Sequence, residues 1–406
     1  MARPDQPLRS VPLHSVGAPP TLAETVAALA AEFSRTAAEH DRSGIFPFAN
    51  FDRLAEENLL GLVTPRRFGG LGGGLRDAAT VIGGVAQGEP STALVLSMQY
   101  LQHASMEERG WPAHLAERLG REAAAGVSLI NALRVEPELG SPARGGVPAT
   151  VARRMPEGWR VSGHKIFATG IPILSWLAVW AVTDEAEPRI GTILVPAASP
   201  GIRVLESWDQ LGMRATNSHD VILEDVLVPL DHAVDLRPPA AWRTPEPVKS
   251  AWGAVLIGAL YDGIARAARD WVVSFLKTRA PANLGAPLAT LPRMQDAVGE
   301  IEARLAVNAR LLASAARDVD DGRPPTPNES GIVKLTVTGN AIAAVETAVR
   351  LTGNPGLARA NPLERHYRDV LCARIHTPQD DSIRLAAGRL ALGLERPPVN
   401  ATGAAV

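Results

Sequence analysis

The sequence predicts a multidomain α+β fold: an N-terminal helical domain over 21–125, a middle β domain over 126–240 and a C-terminal helical bundle over 246–395. Three observations predict it. Apolar residues first recur at the spacing of amphipathic helices. From about Val127 the segments become short, β-rich and bounded by turn residues. After "RTPEPVKS" helical text returns in longer pieces. Strands that follow one another without intervening helices are expected to pair antiparallel, as a sheet or barrel.

Residues 1–20 read as a disordered leader, without the apolar run of a signal peptide. The first helix is expected at "TLAETVAALAAEF". There Thr21 and Glu24 form a capping box, and Leu22, Val26, Leu29 and Phe33 share one face. Helical text continues in "FDRLAEENLLGL", "RDAATVIGGVAQGE", "STALVLSMQYLQHASM" and "PAHLAERLGREAAAG". The glycine-rich "TPRRFGGLGGGL" between two of these is not a phosphate loop, because no strand precedes it and no Lys-Ser/Thr follows; it reads as a flexible turn. Strands are expected in "VSLINALRV", "ATVARRM", "WRVSGHKIF", "WLAVWAVTD", "IGTILVP" and "SHDVILEDVLV", with "PEGW" as a hairpin connection. Helices are expected around 248–278, 294–319, 329–352, 359–373 and 378–395, before a frayed tail at 396–406.

Composition narrows the function. The chain is 46% hydrophobic and 21% charged with a net charge of −2, so it has neither the basic stripe of a nucleic-acid binder nor a polybasic membrane patch. No stretch of eighteen consecutive apolar residues predicts a membrane span. The single cysteine, Cys372, excludes an internal disulfide framework and makes a reducing cytoplasm the expected location.

The nine histidines show no metal-binding spacing, so no metal site is expected, and no nucleophile motif is present. Cys372 reads as buried and inert. Two stretches in the β region carry more. In "VEPELGSPARGG", Gly140 and Ser141 form a small-residue turn that offers backbone N–H groups and a hydroxyl to a polar ligand edge. In "GHKIFATGIP", Phe167 lies two residues before Thr169, a pairing suited to stacking on a planar ring while hydrogen-bonding its rim. His103 reads as a satisfied core histidine, and Trp176 and Trp180 as sheet core rather than stacking platforms. Glu364, Arg365, Arg368 and Asp369 read as an ion-pair cluster serving registry. In "IHTPQDD", Thr377 is a candidate N-cap, Pro378 fits the first helical turn and Asp380 offsets the dipole.

Taken together and in order, these pieces resemble the acyl-CoA dehydrogenase superfamily over nearly the whole chain. "PRRFGGLGG" (65–73), "EPELGSP" (136–142), "GHKIFAT" (163–169), "LGMR" (211–214), "LKTR" ending at Arg279 and "GNPGLARANPLERHYRD" (353–369) are similar to its motifs. The resemblance implies a middle antiparallel β-barrel, a C-terminal four-helix bundle, a homotetramer and a flavin, normally FAD. It implies that Gly140 and Ser141 touch that flavin, that Phe167 stands where the family usually has a tryptophan, and that Thr169 keeps a hydroxyl near the ring. It further implies that Arg279, Gly353, Asn354, Gly356 and Gln379 contact cofactor, Arg279 that of a neighbouring subunit.

The departures bear on mechanism. Counting from Arg368-Asp369 puts Thr377 at the family's catalytic glutamate and His376 beside it; counting back from Arg279 puts Gly253 at the alternative base position. A threonine hydroxyl is far too weak a base to remove an α-proton, and imidazole is the nearby group with a useful pKa. The expected activity is flavin-dependent α,β-dehydrogenation of an acyl thioester, with His376 as candidate base and an electron-transfer flavoprotein as possible partner. The alternative is the family's monooxygenase branch, which takes FMNH2 or FADH2 from a flavin reductase and uses a histidine of this region. A third reading is a non-catalytic flavin or acyl-thioester binder.

Overall fold

A computed structural model describes residues 20–106, 109–139, 146–243 and 246–394. Its N-terminal part holds six helices: α1 (Leu22–Phe33), α2 (Ala37–Ser43), α3 (Phe48–Glu56), α4 (Leu75–Gly88), α5 (Pro90–His103) and α6 (Ala113–Ala125). The expected capping box starts α1. The Thr21 N–H donates to Glu24 Oε2 at 2.8 Å and the Glu24 N–H donates to Thr21 Oγ1 at 3.3 Å. Val26, Leu29 and Phe33 are buried along one face, as their spacing requires. The glycine-rich connection is packed rather than flexible. Leu71 and Gly73 donate backbone bonds to Gly61 and Leu62, and a Cβ on Gly70 would lie 2.3 Å from the Thr64 carbonyl oxygen.

Eight strands form one sheet: β1 (Leu129–Leu133), β2 (Val151–Met155), β3 (Gly158–Lys165), β4 (Leu174–Thr183), β5 (Ile190–Pro196), β6 (Ile202–Leu205), β7 (Asp220–Val228) and β8 (Ala233–Arg237). Its order is β6-β7-β3-β2-β4-β5-β8, with β1 added against β4. Two pairings, β1/β4 and β2/β4, are parallel, so the sheet is mixed and not wholly antiparallel as the text of short strands suggests. The segment between β1 and β4 contains the β2–β3 hairpin and is long enough to return the chain in the same direction, which is what a parallel pairing needs. Both faces of β4 are buried: Leu177, Val179 and Ala181 join the main core, while Trp176 and Ala178 pack with Trp111, Leu115 and Leu119 beside α6.

The C-terminal part comprises α7 (Pro247–Thr278), α8 (Pro292–Asp320), α9 (Pro327–Thr352), α10 (Asn354–Leu357), α11 (Pro362–Leu371) and α12 (Asp380–Ala391). One continuous apolar core runs from α1 through the sheet into this bundle. Fully buried Asn308 fixes the register of three helices. It donates to Asp262 Oδ1 (2.9 Å) and the Val337 carbonyl (3.2 Å) and accepts from Asn340 (3.0 Å). Arg269 pairs with Glu302 and Arg350 approaches Glu300, so α8 runs antiparallel to both α7 and α9, and the C-terminal ends of α7 and α9 lie at one end of the bundle. By length and composition α9 is apolar enough to cross a membrane. Half of its most apolar window is buried inside the fold, however, and it packs against α7 and α8. The last helix starts later than expected. Its N-cap position is Gln379, not Thr377, and Lys334 of α9 donates to Asp380 of its first turn at 3.0 Å.

Candidate functional site

The β side of the site is built at the end of β3. Phe167 sits at φ +58°, a left-handed conformation that a bulky residue adopts only when its surroundings enforce it. Its ring is 52% exposed and meets Trp208 edge-on at 6.3 Å. Two residues on, half-buried Thr169 is held by its carbonyl, which accepts from Asn131 Nδ2 at 3.0 Å. Its hydroxyl receives the Ser218 hydroxyl at 3.0 Å; Ser218 meets Thr216 at 2.8 Å, and Thr216 donates to the Met213 carbonyl at 2.9 Å. With Ser218 donating to it, the Thr169 hydroxyl proton has no acceptor among the described residues.

A buried ion pair braces this edge. Lys165 Nζ, fully buried, donates to Glu136 Oε1 at 2.6 Å and to the Trp180 carbonyl at 2.5 Å. Glu136 also accepts from the Ala149 and Thr150 N–H groups and from the Thr150 hydroxyl. Burial lowers the Lys165 ammonium to about 8 while Glu136 holds it up; the Glu136 carboxyl ends below its usual range because the Lys165, Thr150 and Ala149 bonds outweigh its burial. The pair ties the start of the "EPELGSP" segment to the strand that carries Phe167. Gly140 and Ser141 themselves lie outside the described residues.

The helical side docks on the same loop that anchors Thr169. Asp369, buried on α11, accepts the Met213 N–H at 2.7 Å, and Arg368 bonds Asp41 of α2 (2.6 Å and 2.8 Å), Glu364 and the Leu211 carbonyl. The expected ion-pair cluster thus reaches across three parts of the chain, with Asp369 serving a backbone amide. Beyond α11, half-buried His376 places Nε2 2.7 Å from the hydroxyl of Tyr261 on α7. Burial lowers the His376 imidazolium to about 4, with Lys334 adding to the effect, and pushes the Tyr261 phenol well up, so both are neutral near pH 7. Tyr261 is fully buried and this bond engages its hydroxyl; either group can donate, according to the His376 tautomer.

Thr377 is exposed next to it, and Gly253, half-buried on α7, has open space where a side chain would stand. Neither position carries a carboxylate. The Met213–Asp369 bond joins the loop that anchors Thr169 to α11, the helix that precedes His376, Thr377 and Gln379 in the chain. Arg279 does not join them. It caps α7 eighteen residues beyond Tyr261, about 27 Å along the helix axis. Gly353, Asn354 and Gly356, at the end of α9, lie toward that same end of the bundle. A planar ring with hydrogen-bonding rim atoms fits the exposed Phe167 face and the spare Thr169 proton, so the residues present suit a flavin.

Several residues resolve as scaffold. His103 meets Thr64 Oγ1 through Nδ1 and Gln99 Nε2 through Nε2, both at 3.0 Å, as a satisfied core histidine. Trp176 is sheet core, its Nε1 donating to Glu122. Trp180 is likewise buried in the sheet, with the Arg134 guanidinium stacked over its ring at 4.3 Å. The Cys372 thiol is pushed up to about 12 by burial, which keeps it unreactive. Sequence reading misses Tyr261, Ser218 and the Glu136–Lys165 pair. The signal for Tyr261 is weak: it lies on an i, i+4 row with Gly253 and Ile257 of α7.

Comparison with known proteins agrees with this architecture. The acyl-CoA dehydrogenase N-terminal, middle and C-terminal domain models match residues 20–113, 134–226 and 255–380. The putative acyl-CoA dehydrogenase YdbM of Bacillus subtilis (strain 168) is 34% identical over 370 residues, covering 90% of this chain and 95% of that protein. L-evernosamine nitrososynthase of a Micromonospora species is 29% identical over 395 residues, covering 93% and 91%. Among solved structures, KijD3 in complex with FMN and dTDP-3-amino-2,3,6-trideoxy-4-keto-3-methyl-D-glucose superposes with a TM-score of 0.81 at 29% identity, covering 92% of this chain and 94% of that one. With three domain models matched in order and a relative 34% identical over 90% of it, the chain belongs to the acyl-CoA dehydrogenase superfamily of flavoproteins.

Proposed function

We propose that this chain works in the reduced-flavin branch of its family, as a monooxygenase that receives FMNH2 or FADH2 from a separate reductase and oxidises a small organic substrate with O2. The observation that carries this reading is the His376–Tyr261 pair. With Tyr261 as the donor, the imidazole proton lies on Nδ1 and Nε2 is occupied, so His376 is not free to abstract an α-proton. The positions where a carboxylate base would stand hold Thr377 and Gly253. Bound flavin supplies the electron transfer and oxygen activation that no side chain here can supply. The chain's own groups bind and orient: Phe167 and Trp208 close an apolar edge against water, Thr169 offers its hydroxyl to the rim of the ring, and Tyr261 fixes the His376 tautomer. The nitrososynthase relative and the FMN complex of KijD3 support the same branch.

A second reading, FAD-dependent dehydrogenation of an acyl thioester, is favoured by the printed name of the relative at 34% identity. It requires the opposite tautomer, with Tyr261 accepting from Nε2 and His376 Nδ1 acting as base. The test is oxygen uptake by the purified chain with reductase-supplied flavin and candidate substrates, set beside dye reduction with acyl-CoAs. Substrate-dependent oxygen uptake with no dye reduction is the expected outcome; acyl-CoA-dependent dye reduction overturns it. The reading includes a homo-oligomer in a reducing cytoplasm, in which Arg279 and the 353–356 turn serve cofactor across a subunit contact. Their separation from His376 along α7 and α9 supports that arrangement.

A further inference from the structure

We infer that His219 is a positioning residue for the flavin site: its imidazole clasps the base of the 206–219 loop and so holds Trp208 and Ser218 against Phe167 and Thr169. This loop joins β6 to β7, which pair antiparallel as far as Leu205 and Asp220. Hairpin connections of about 2–5 residues are usual, and much longer ones commonly serve a site. Two residues of this one reach the site from opposite ends of the loop. Trp208, near its start, meets the Phe167 ring edge-on at 6.3 Å, and Ser218, near its end, donates to the Thr169 hydroxyl at 3.0 Å.

His219 ties those ends together. Its Nδ1 accepts the Ser207 N–H and the Trp208 N–H, both at 3.1 Å. A backbone N–H can only donate, so Nδ1 carries a lone pair and the neutral ring keeps its proton on Nε2. The His219 carbonyl in turn accepts the Ala168 N–H at 3.0 Å, between Phe167 and Thr169. One residue therefore fixes the loop to itself through its ring and to the segment after β3 through its backbone. Closing the hairpin does not require an imidazole, because Ser207 donates to Asp220 Oδ1 at 2.6 Å and accepts the Asp220 N–H at 3.1 Å. What the ring adds is the orientation of the peptide that carries Trp208, whose indole N–H then reaches the Met213 carbonyl at 3.1 Å.

Protonation opens the clasp. A proton on Nδ1 removes the lone pair that both amides share and sets a donor against two donors. Burial holds His219 below its ordinary 6.5, against Glu206 and Asp220, which favour the cation. Asp220 is itself engaged by His164 of β3 at 2.8 Å and by Ser207. The clasp is thus closed at neutral pH and is lost as pH falls through the lowered value. The inference rests on flavin lying against Phe167 and Thr169 and holds for either redox reaction.

Two variants test it. His219→Asn replaces Nδ1 with Oδ1, an acceptor that does not titrate, and His219→Leu has no acceptor. Imidazole 15N spectra of wild type at neutral pH are expected to show a ring protonated on Nε2 whose signal is missing from His219→Asn. Affinity is read by anaerobic fluorescence titration with whichever of oxidised or reduced FMN and FAD wild type binds most tightly. It is expected to fall about tenfold in His219→Leu at neutral pH and to be kept by His219→Asn. On acidification wild type is expected to lose affinity earlier than His219→Asn. Wild-type affinity in His219→Leu, identical pH profiles for wild type and His219→Asn, or a ring protonated on Nδ1 overturns the inference.

Discussion

Two histidines of this chain share a lowered basicity and differ in what they can do. His103 on α5 and His376 after α11 are both lowered to about 4 by burial. His103 has both ring nitrogens engaged, by Thr64 and Gln99, whereas His376 has one engaged, by Tyr261. Low basicity alone therefore does not mark a functional histidine; a nitrogen left over after the scaffold has been satisfied does.

The comparison can be broken at either residue. His376→Ala is expected to cost about 100- to 1,000-fold in turnover per folded molecule, with about 1–3 kcal/mol of stability lost because the buried Tyr261 phenol is left unpaired. A variant that keeps its activity per folded molecule would make His376 scaffold. His103→Ala is expected to lose about 2–4 kcal/mol of stability in denaturant unfolding, because it leaves a cavity and strips Thr64 and Gln99 of their partner. Its activity per folded molecule should remain; a selective loss of activity would move His103 into the site.

Asp369 sharpens the contrast between groups neutral by burial and groups charged at a cost. Its carboxyl is raised to about 7, chiefly by burial, against an ordinary value of 3.8. Below pH 4 the group is protonated in both folded and unfolded chains and costs nothing. Between pH 4 and 7 the unfolded chain ionises first, so stability is lost as pH rises. Asp369→Asn keeps an acceptor for the Met213 N–H, and its Tm advantage over wild type should grow from near zero at pH 4 to a plateau above pH 7. An advantage independent of pH would contradict the assignment. The two histidines carry the opposite sign: their folded values lie below the ordinary 6.5, so their stability contribution is lost as pH falls from 6.5 toward 4.

The smallest expected effect is that of Tyr261→Phe. Removing the phenol frees Nε2 and lets both tautomers of His376 form, which should slow turnover about tenfold, the scale of one hydrogen bond. Identical turnover and pH profile would show that Tyr261 does not set the tautomer.

Much of the fold is legible in local text. The Thr21–Glu24 box, the apolar rows of α1 and α7 and the short strands each report on neighbours a few residues away. What is not legible depends on partners far apart in sequence. The parallel β1/β4 pairing, the Glu136–Lys165 bond and the Asp369–Met213 dock have no local signature, and Lys334 bonds the first turn of α12 from forty-six residues away. The site divides in the same way. His376, Phe167 and Thr169 stand out through motif similarity, while Tyr261 stands out only once α7 is set against its neighbours.

The account rests most on the claim that the chain uses flavin already reduced. An anaerobic titration of the flavin-free chain with oxidised and reduced FMN and FAD, followed by fluorescence, tests this directly. Binding of a reduced flavin at least tenfold more tightly than its oxidised form is the predicted result. Tight stoichiometric binding of oxidised FAD that an acyl-CoA then bleaches without oxygen would contradict it and establish dehydrogenation.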